Sequence, residues 1–324
     1  MTTFGDQVYQ FGGEPVGSSA NYPGDYGYTQ GHQTEGNRVY YVNNITGDSG
    51  YDGLSWQTPF AEVSQAITAS EAHRATLTTN NQNVRNRIYV QGTKTAYTKL
   101  TALPLYCDII GVGASVRGTN EGIARIGSDT VAESGCVISD TVRGLYVKGI
   151  QFQAGLNKYC FQCTNMFRST FEDCSFMTNG AATGNPTAAI HTAGSVGSLI
   201  FRRCFIGSNA SLDTEPDIGF KIAGTAFTNC LVEDCFITGI TGVNISSSMS
   251  NAHCFGSMFK NNYIGQGSQE MVTGVNDDTE GAANRGYIVF AGNYFDATTA
   301  MDLESDTTAR AIGNYSANAF VAGT

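Results

Sequence analysis

Seven six-residue blocks of one pattern recur through the last two thirds of the chain. They are VKGIQF (147–152), FEDCSF (171–176), FRRCFI (201–206), VEDCFI (232–237), FKNNYI (259–264), FAGNYF (290–295) and AIGNYS (311–316). Successive blocks begin 21–31 residues apart, and their first, fourth and sixth positions are mostly apolar or small. A repeat of this length is typical of a solenoid in which each coil contributes two or three short strands.

A second kind of strand-like block follows several of these repeats. Its examples are AAIHTA (188–193), GFKIAG (219–224), GVNISS (242–247), MVTGV (271–275) and AMDLES (300–305). Coils stacked at strand spacing advance about 4.8 Å each, so the same position of successive coils lies in register. The register predicts one outward row on the second strands, formed by His191, Lys221, Asn244, Thr273 and Asp302.

The same register predicts two ladders within the six-residue blocks. The fourth positions read Cys174, Cys204, Cys235, Asn262, Asn293 and Asn314, which predicts an interior column of stacked thiols and then amides. The second and third positions alternate in charge from Glu172–Asp173 through Arg202–Arg203 and Glu233–Asp234 to Lys260–Asn261. This alternation predicts ion pairs between coils, with a structural role.

Composition narrows the class of protein further. Charged residues make up only 14 % of the 324, glycine contributes 39, and the formal net charge is −10. This acidity argues against nucleic acid as a partner, since phosphate binding requires Lys and Arg. The absence of an 18-residue apolar run predicts no membrane span. The nine cysteines are an odd number, and we expect them to be reduced and buried.

Residues 1–37 differ from the rest of the chain. They contain no Lys or Arg, and their aromatic residues are scattered among Gly, Ser, Gln and Asn. This pattern does not form a core, so we expect an extended N-terminal arm. Aromatic and apolar side chains dominate the energetics of protein contacts, which makes four residues the expected anchors to a partner: Phe4, Val8, Tyr9 and Phe11.

Residues 38–105 are predicted to form a cap, and residues 106–324 the stacked coils. The cap contains a strand at 39–42 and a helix over 59–77, with Thr58 as its N-cap and Pro59 as its first residue. Phe60, Val63 and Ile67 would share one face of this helix. A solenoid needs such a cap because its terminal core and strand edge are otherwise exposed.

The opening of this body resembles a known superfamily. VYYVNNITGDSGYDGLSWQTPFAEVSQAI, RIYVQGT and CDIIGVGAS are similar to the first segments of right-handed parallel β-helix proteins of the pectate-lyase-like superfamily. The residues that carry the match are Gly47, Asp48, Gly53, Pro59, Phe60, Ile110, Gly111 and Gly113. The resemblance implies an all-β fold, a right-handed parallel β-helix over roughly residues 38–324. It implies no single activity, because this fold carries lyases, hydrolases, epimerases and inert spikes.

The first 17 residues, MTTFGDQVYQFGGEPVG, resemble the short leaders of virion proteins in tailed bacteriophages, notably marine ones. The resemblance implies a structural virion protein, a capsid decoration, fibre or tail spike, attached to other capsid or tail proteins through residues 1–37. Resemblance of the body to phage β-helices implies a homotrimer. Because these residues have neither a basic n-region nor an apolar h-region, we expect no signal peptide. Together with the resemblance to virion proteins, this implies synthesis in the host cytoplasm and location in the virion. Outward Tyr, Asn and Thr side chains make glycans a further expected partner.

The sequence predicts no catalytic residue, no metal site and no cofactor, but it leaves a polysaccharide depolymerase as the alternative function. Lys221 is a candidate lyase base. A hydrolase would need two carboxylates, for which two loops provide candidates: Asp213, Glu215 and Asp217, and Asp277, Asp278 and Glu280. Cys160 and Cys163 form a C-x-x-C pattern without a second pair to complete a zinc site.

Overall fold

The computed structural model describes residues 9–11, 14–16, 37–76, 84–116, 122–128, 135–156, 158–179, 188–208, 217–249, 254–265, 270–279, 287–303, 309–316 and 320–321. Within these residues, three sheets of ten, nine and eight strands run along one axis. Their strands pair in parallel, except that the last two strands of the nine-stranded sheet are antiparallel. The chain passes from the eight-stranded to the ten-stranded to the nine-stranded sheet and then begins the next coil. The fold is therefore the predicted right-handed parallel β-helix.

Each sheet contains one strand from most of the coils. The ten-stranded sheet contains β3 (Val39–Val42), β4 (Asn86–Gln91), β5 (Cys107–Val112), β8 (Tyr146–Lys148), β11 (Thr170–Glu172), β14 (Ile200–Arg202), β18 (Leu231–Glu233), β21 (Ser257–Lys260), β24 (Ile288–Ala291) and β27 (Ala309–Ile312). The nine-stranded sheet contains β6 (Arg125–Gly127), β9 (Gln151–Leu156), β12 (Ser175–Asn179), β15 (Phe205–Ser208), β19 (Phe236–Ile237), β22 (Tyr263–Gly265), β25 (Tyr294–Asp296), β28 (Asn314–Ser316) and β29 (Phe320–Val321). The eight-stranded sheet contains β7 (Cys136–Arg143), β10 (Phe161–Phe167), β13 (Ala188–Gly197), β16 (Ile218–Ile222), β17 (Ala226–Thr228), β20 (Thr241–Ile245), β23 (Thr273–Asp277) and β26 (Thr299–Leu303).

Each six-residue block is two short strands joined by a corner, where the sequence had suggested one strand. Positions 1 and 2 belong to the ten-stranded sheet, and positions 5 and 6 belong to the nine-stranded sheet. The third position turns the chain, with φ between 51° and 65° in all seven blocks: Gly149, Asp173, Arg203, Asp234, Asn261, Gly292 and Gly313. The left-handed conformation at this position bends the backbone sharply, so a continuous strand cannot form.

The fourth positions form the predicted interior column. All nine cysteines are free and buried, Cys174, Cys204 and Cys235 among them. The column continues as an amide ladder, in which Asn262 Nδ2 donates to Asn293 Oδ1 and Asn293 Nδ2 donates to Asn314 Oδ1, both at 3.0 Å. Burial raises the pKa of the Cys174 thiol well above its usual value, which keeps it protonated and unreactive.

The charged positions form ion pairs between neighbouring coils, as the alternation predicts. Arg202 Nε lies 2.6 Å from Glu233 Oε1, and Arg203 Nε lies 2.8 Å from Asp173 Oδ1. Arg203 also pairs with Glu172, whose side chain is only 4 % exposed. These pairs hold the coil of β11 to the coil of β14, and that coil to the one of β18.

The cap helix begins later than predicted. Helix α1 spans Val63–Ala75, and the Glu62 N–H donates to Gln65 Oε1 at 2.9 Å at its start. Thr58 does not cap it, because the N-cap position is Glu62; the Thr58 hydroxyl instead donates to Asp52 Oδ1 at 2.7 Å. Phe60 instead pairs with Val42 as an isolated parallel bridge. Val63 and Ile67 are buried against the core as expected.

In the described part of the chain, no helical segment combines the length and the apolar character needed to cross a membrane.

Candidate functional site

The outer face of the eight-stranded sheet carries a line of polar side chains that follows the helix axis. Strand pairing aligns Gln162 with His191, His191 with Lys221 and Lys221 with Asn244. The same alignment continues over the next two coils. We call this line the polar row; its members are Gln162, His191, Lys221, Asn244, Asn276 and Asp302. At about 4.8 Å per coil, it spans roughly 24 Å.

The row corrects one predicted member. Thr273 pairs with Thr241, three residues before Asn244, and Asn276 takes the predicted place of Thr273. The sequence contains the signal for this register, since TGVN occurs at both 241–244 and 273–276. The other four predicted members, His191, Lys221, Asn244 and Asp302, lie in one row as expected.

His191 packs against an aromatic ring. Its ring centroid lies 4.3 Å from that of Tyr159, and its Nδ1 is buried without a hydrogen-bond partner among the described residues. Burial, together with the nearby ammonium of Lys221, lowers the pKa of His191 to about 4. The imidazole is therefore neutral at pH 7, with one hydrogen-bond donor and one acceptor.

Lys221 places a positive charge in the polar row. Among the described residues, its ammonium forms no ion pair or hydrogen bond, whereas Arg202 and Arg203 on the ten-stranded sheet are paired. An unpaired cation beside a neutral imidazole is available to a ligand.

The far end of the row is acidic. Asp278 accepts hydrogen bonds from Asn244 Nδ2 at 2.8 Å and from Asn276 Nδ2 at 2.9 Å, which fixes its carboxylate between two coils. Asp302, exposed on the next coil, extends the negative charge. Neutral amides orient the carboxylate of Asp278 without cancelling its charge.

A second outward line was missed from the sequence. The fifth positions of five blocks form an aromatic column on the nine-stranded sheet: Phe205, Phe236, Tyr263, Tyr294 and Tyr315. Ring centroids of the first four members lie 4.6–5.6 Å apart with planes within 18° of parallel. The signal was present, because the fifth position is aromatic in five successive blocks. Stacking covers the ring faces and leaves edges outward, so the column does not form a flat platform for a sugar.

The acidic loop candidates do not assemble into a catalytic pair within the described residues. Asp277 is 1 % exposed and accepts from the Thr279 hydroxyl and the Ala309 N–H, which makes it a structural carboxylate of the interior. Asp213, Glu215 and Glu280 lie outside the described residues. In the part of the chain that is described, no group of three or more His, Cys, Asp or Glu side chains could hold a metal ion.

Two of the predicted anchor residues fall on described backbone. Tyr9 and Phe11 belong to β1 (Tyr9–Phe11), which pairs antiparallel with β2 (Glu14–Val16). Phe4 and Val8 lie outside the described residues. The β1–β2 pair forms a separate two-stranded sheet that joins none of the three sheets of the body.

The strand pairing and the outward rows define the class of this protein as a right-handed parallel β-helix.

No protein-family model matches the chain, and no curated protein matches it. Solved structures with a similar chain path include pectin methylesterase PemA from Erwinia chrysanthemi, at 11 % identity and a TM-score of 0.46 over 87 % of this chain and 90 % of that one. Alginate lyase from Paenibacillus sp. str. FPU-7 is similar at 12 % identity and a TM-score of 0.43 over 78 % and 94 % of the two chains. A rhamnogalacturonan lyase is similar at 10 % identity and a TM-score of 0.40 over 83 % of each chain.

Proposed function

We propose that this chain is a structural virion protein of a tailed phage, whose β-helix body is displayed on the particle and contacts glycans along the polar row. The observation that carries the glycan part is the row itself. Hydrogen-bonding side chains at one-strand spacing match the shape of a linear polymer that runs along the axis. The other outward surfaces fit a glycan less well, because charges on the ten-stranded sheet pair with each other and the aromatic column shows ring edges.

Attachment through residues 1–37 is supported by two features. The segment resembles phage virion leaders in sequence, and β1 and β2 pair only with each other among the described strands. The first strand of the body, β3, begins at Val39, after this segment. We therefore propose that the arm binds capsid or tail proteins. The proposal that the body trimerises rests on its resemblance to phage β-helices alone.

A truncation separates the arm from the body. Deleting residues 1–37 should leave a soluble β-helix with a cooperative melting transition that no longer binds particles, while the full chain does. A truncated chain that fails to fold would make the arm part of the domain. A truncated chain that folds and still binds particles would place attachment on the β-helix surface.

A glycan array with the full chain tests the polar row. We expect binding to be lost in a Gln162→Ala, Lys221→Ala, Asn276→Ala triple variant. Lys260→Ala is the matched control, since Lys260 is an exposed lysine on the ten-stranded sheet. Equal loss in the control, or binding that survives the triple variant, would contradict glycan contact at the row.

A depolymerase is the second candidate, and the neutral imidazole of His191 favours a lyase over a hydrolase. In a β-elimination, a base takes the proton next to the uronate carboxyl, the glycosidic C–O bond breaks and a C=C bond forms. The leaving oxygen takes up a proton from water or from the protonated base. His191 would be the base, and Lys221 would bind the carboxylate. Asp278 does not resemble a hydrolytic acid, because two amides hold both of its oxygens. Unsaturated ends that appear with the full chain and vanish in His191→Gln would establish this second function.

A further inference from the structure

The polar row is chemically graded along its length. The Gln162, His191 and Lys221 end offers N–H donors and one positive charge, and the opposite end offers carboxylates. Lys221 and Asp302 lie three coils apart, roughly 14 Å. A ligand that lies along the row must therefore match a positive site at one point and negative sites one to three coils further on.

Each end selects a different chemical group. The Lys221 ammonium, which has no charge partner among the described residues, can bind a carboxylate or a sulfate. The neutral imidazole next to it adds a hydrogen bond without adding charge. At the other end, Asp278 and Asp302 accept hydrogen bonds from hydroxyl groups and repel anions. Asn244 is 7 % exposed, so its main role is to orient Asp278.

The net charge of the chain also disfavours a ligand with many anionic groups. With a net charge of −10, the surface repels a densely charged polyanion, and one lysine compensates for a single anionic group. A polymer with an anion on every sugar would bring further anions to Asp278 and Asp302. A polymer with one anion among several neutral sugars avoids this repulsion.

From this grading we infer that the row binds a sparsely charged glycan, with one anionic group held at Lys221 and His191 and neutral sugars held at Asp278 and Asp302. The inference rests on the proposed glycan-binding function and adds its ligand class. The anionic group is a uronate carboxylate or a sulfate ester, which share the chemistry that Lys221 recognises.

Titration calorimetry of the full chain with four defined oligosaccharides of equal length tests this inference. The ligands are a neutral one, one with a single uronate, one with a single sulfate, and an oligouronate charged on every sugar. We expect either or both singly charged ligands to bind about tenfold more tightly than the neutral one and more tightly than the oligouronate. Comparison of the uronate and sulfate ligands identifies the anion.

Two variants and a control locate the effect. Lys221→Gln should reduce the affinity for the singly charged ligand to about that for the neutral one. Asp302→Asn should strengthen oligouronate binding selectively. Lys260→Gln, the control on the ten-stranded sheet, should change neither. Neutral and charged ligands that bind equally, or an oligouronate that binds best, would overturn the inference while the proposed glycan-binding function stands. Failure of all four to bind would overturn both.

Discussion

The amide ladder provides the sharpest test of how the coils hold together. Asn293 is fully buried, and its side chain makes four hydrogen bonds. Its Nδ2 donates to the Phe259 carbonyl and to Asn314 Oδ1, each at 3.0 Å. Its Oδ1 accepts from the N–H of Asn262 at 2.9 Å and from Asn262 Nδ2 at 3.0 Å. Asn293→Asp keeps the shape and the acceptor but replaces both donor hydrogens with an oxygen.

The cost follows from the lost donors. The Phe259 carbonyl loses its bond from Asn293, and Asn314 Oδ1 faces another oxygen at the former bond distance. An unsatisfied buried group costs about 1–3 kcal/mol, and an uncompensated buried charge about 3–5 kcal/mol. We expect a loss of about 3–5 kcal/mol in the free energy of unfolding at pH 7.

The pH dependence distinguishes this mechanism from simple misfit. Burial raises the pKa of the introduced carboxyl above its unfolded value of about 3.9, so the folded state binds the extra proton. The variant should therefore be least destabilised below about pH 4, and its deficit should grow as pH rises through the folded pKa.

Asn293→Cys is the matched control, because Cys235 occupies the same column and its N–H donates to Asn262 Oδ1. A thiol can accept the N–H of Asn262 and donate weakly to Phe259, so we expect a loss of about 1–2 kcal/mol with no pH dependence below pH 7. Urea unfolding followed by circular dichroism measures both variants. An Asp variant as stable as the Cys variant at pH 7, or one whose deficit does not vary with pH, would refute the reasoning.

Three further predictions use melting temperatures or urea unfolding. Arg203→Glu should destabilise the fold by about 1–3 kcal/mol, since it places a third carboxylate beside Glu172 and Asp173. Arg203→Lys keeps the positive charge and should destabilise the fold less. Equal stability of both variants and wild type would contradict the ion-pair register. Ser198 is exposed and has a φ of 54°, a left-handed conformation that strains a residue with a Cβ but not glycine. Ser198→Gly should therefore raise the free energy of unfolding by up to about 1 kcal/mol. An unchanged or lower melting temperature would count against strain at this position. Because the pKa of His191 is lowered to about 4 in the folded protein, neutral His191 stabilises the fold fully above about pH 6.5, and this stabilisation is lost as pH falls towards 4. His191→Gln should therefore reduce the loss of unfolding free energy between about pH 6.5 and pH 4 by about 1–3 kcal/mol. The same loss in the variant and in wild type would show that His191 does not titrate as described.

The solenoid could be predicted from the sequence because stacking in register repeats the same environment in every coil. Cys174, Cys204 and Cys235 recur at one position since that position is always interior. Arg203 lies between carboxylates in the sequence repeat and forms its ion pair with Asp173 in the structure for the same reason. Because each coil places a given position in the same surroundings, the same type of residue recurs at that position in the sequence.

The sequence was a poorer guide to the start of the helix and to the bounds of the strands, where local backbone geometry overrides the pattern of residue types. Thr58 and Pro59 look like a helix start, but the Thr58 hydroxyl donates to Asp52 and Phe60 pairs with a strand, so the helix begins at Val63. The six-residue blocks read as single strands because their apolar positions alternate. The left-handed corner lies at the third position, where six of the seven residues are Gly, Asp or Asn, the types that favour this conformation. This signal was overlooked in the alternating pattern.

The sequence by itself determined the coil period, the interior column and the alternation of charge, because each depends on residue type at a repeated position. Only the tertiary structure decided that Asp278 lies between two coils and that His191 stacks on Tyr159. These contacts join residues of different coils through loops of unequal length, so no fixed spacing encodes them. The candidate site is formed by such contacts, which is why its members were partly foreseen and its charge grading was not.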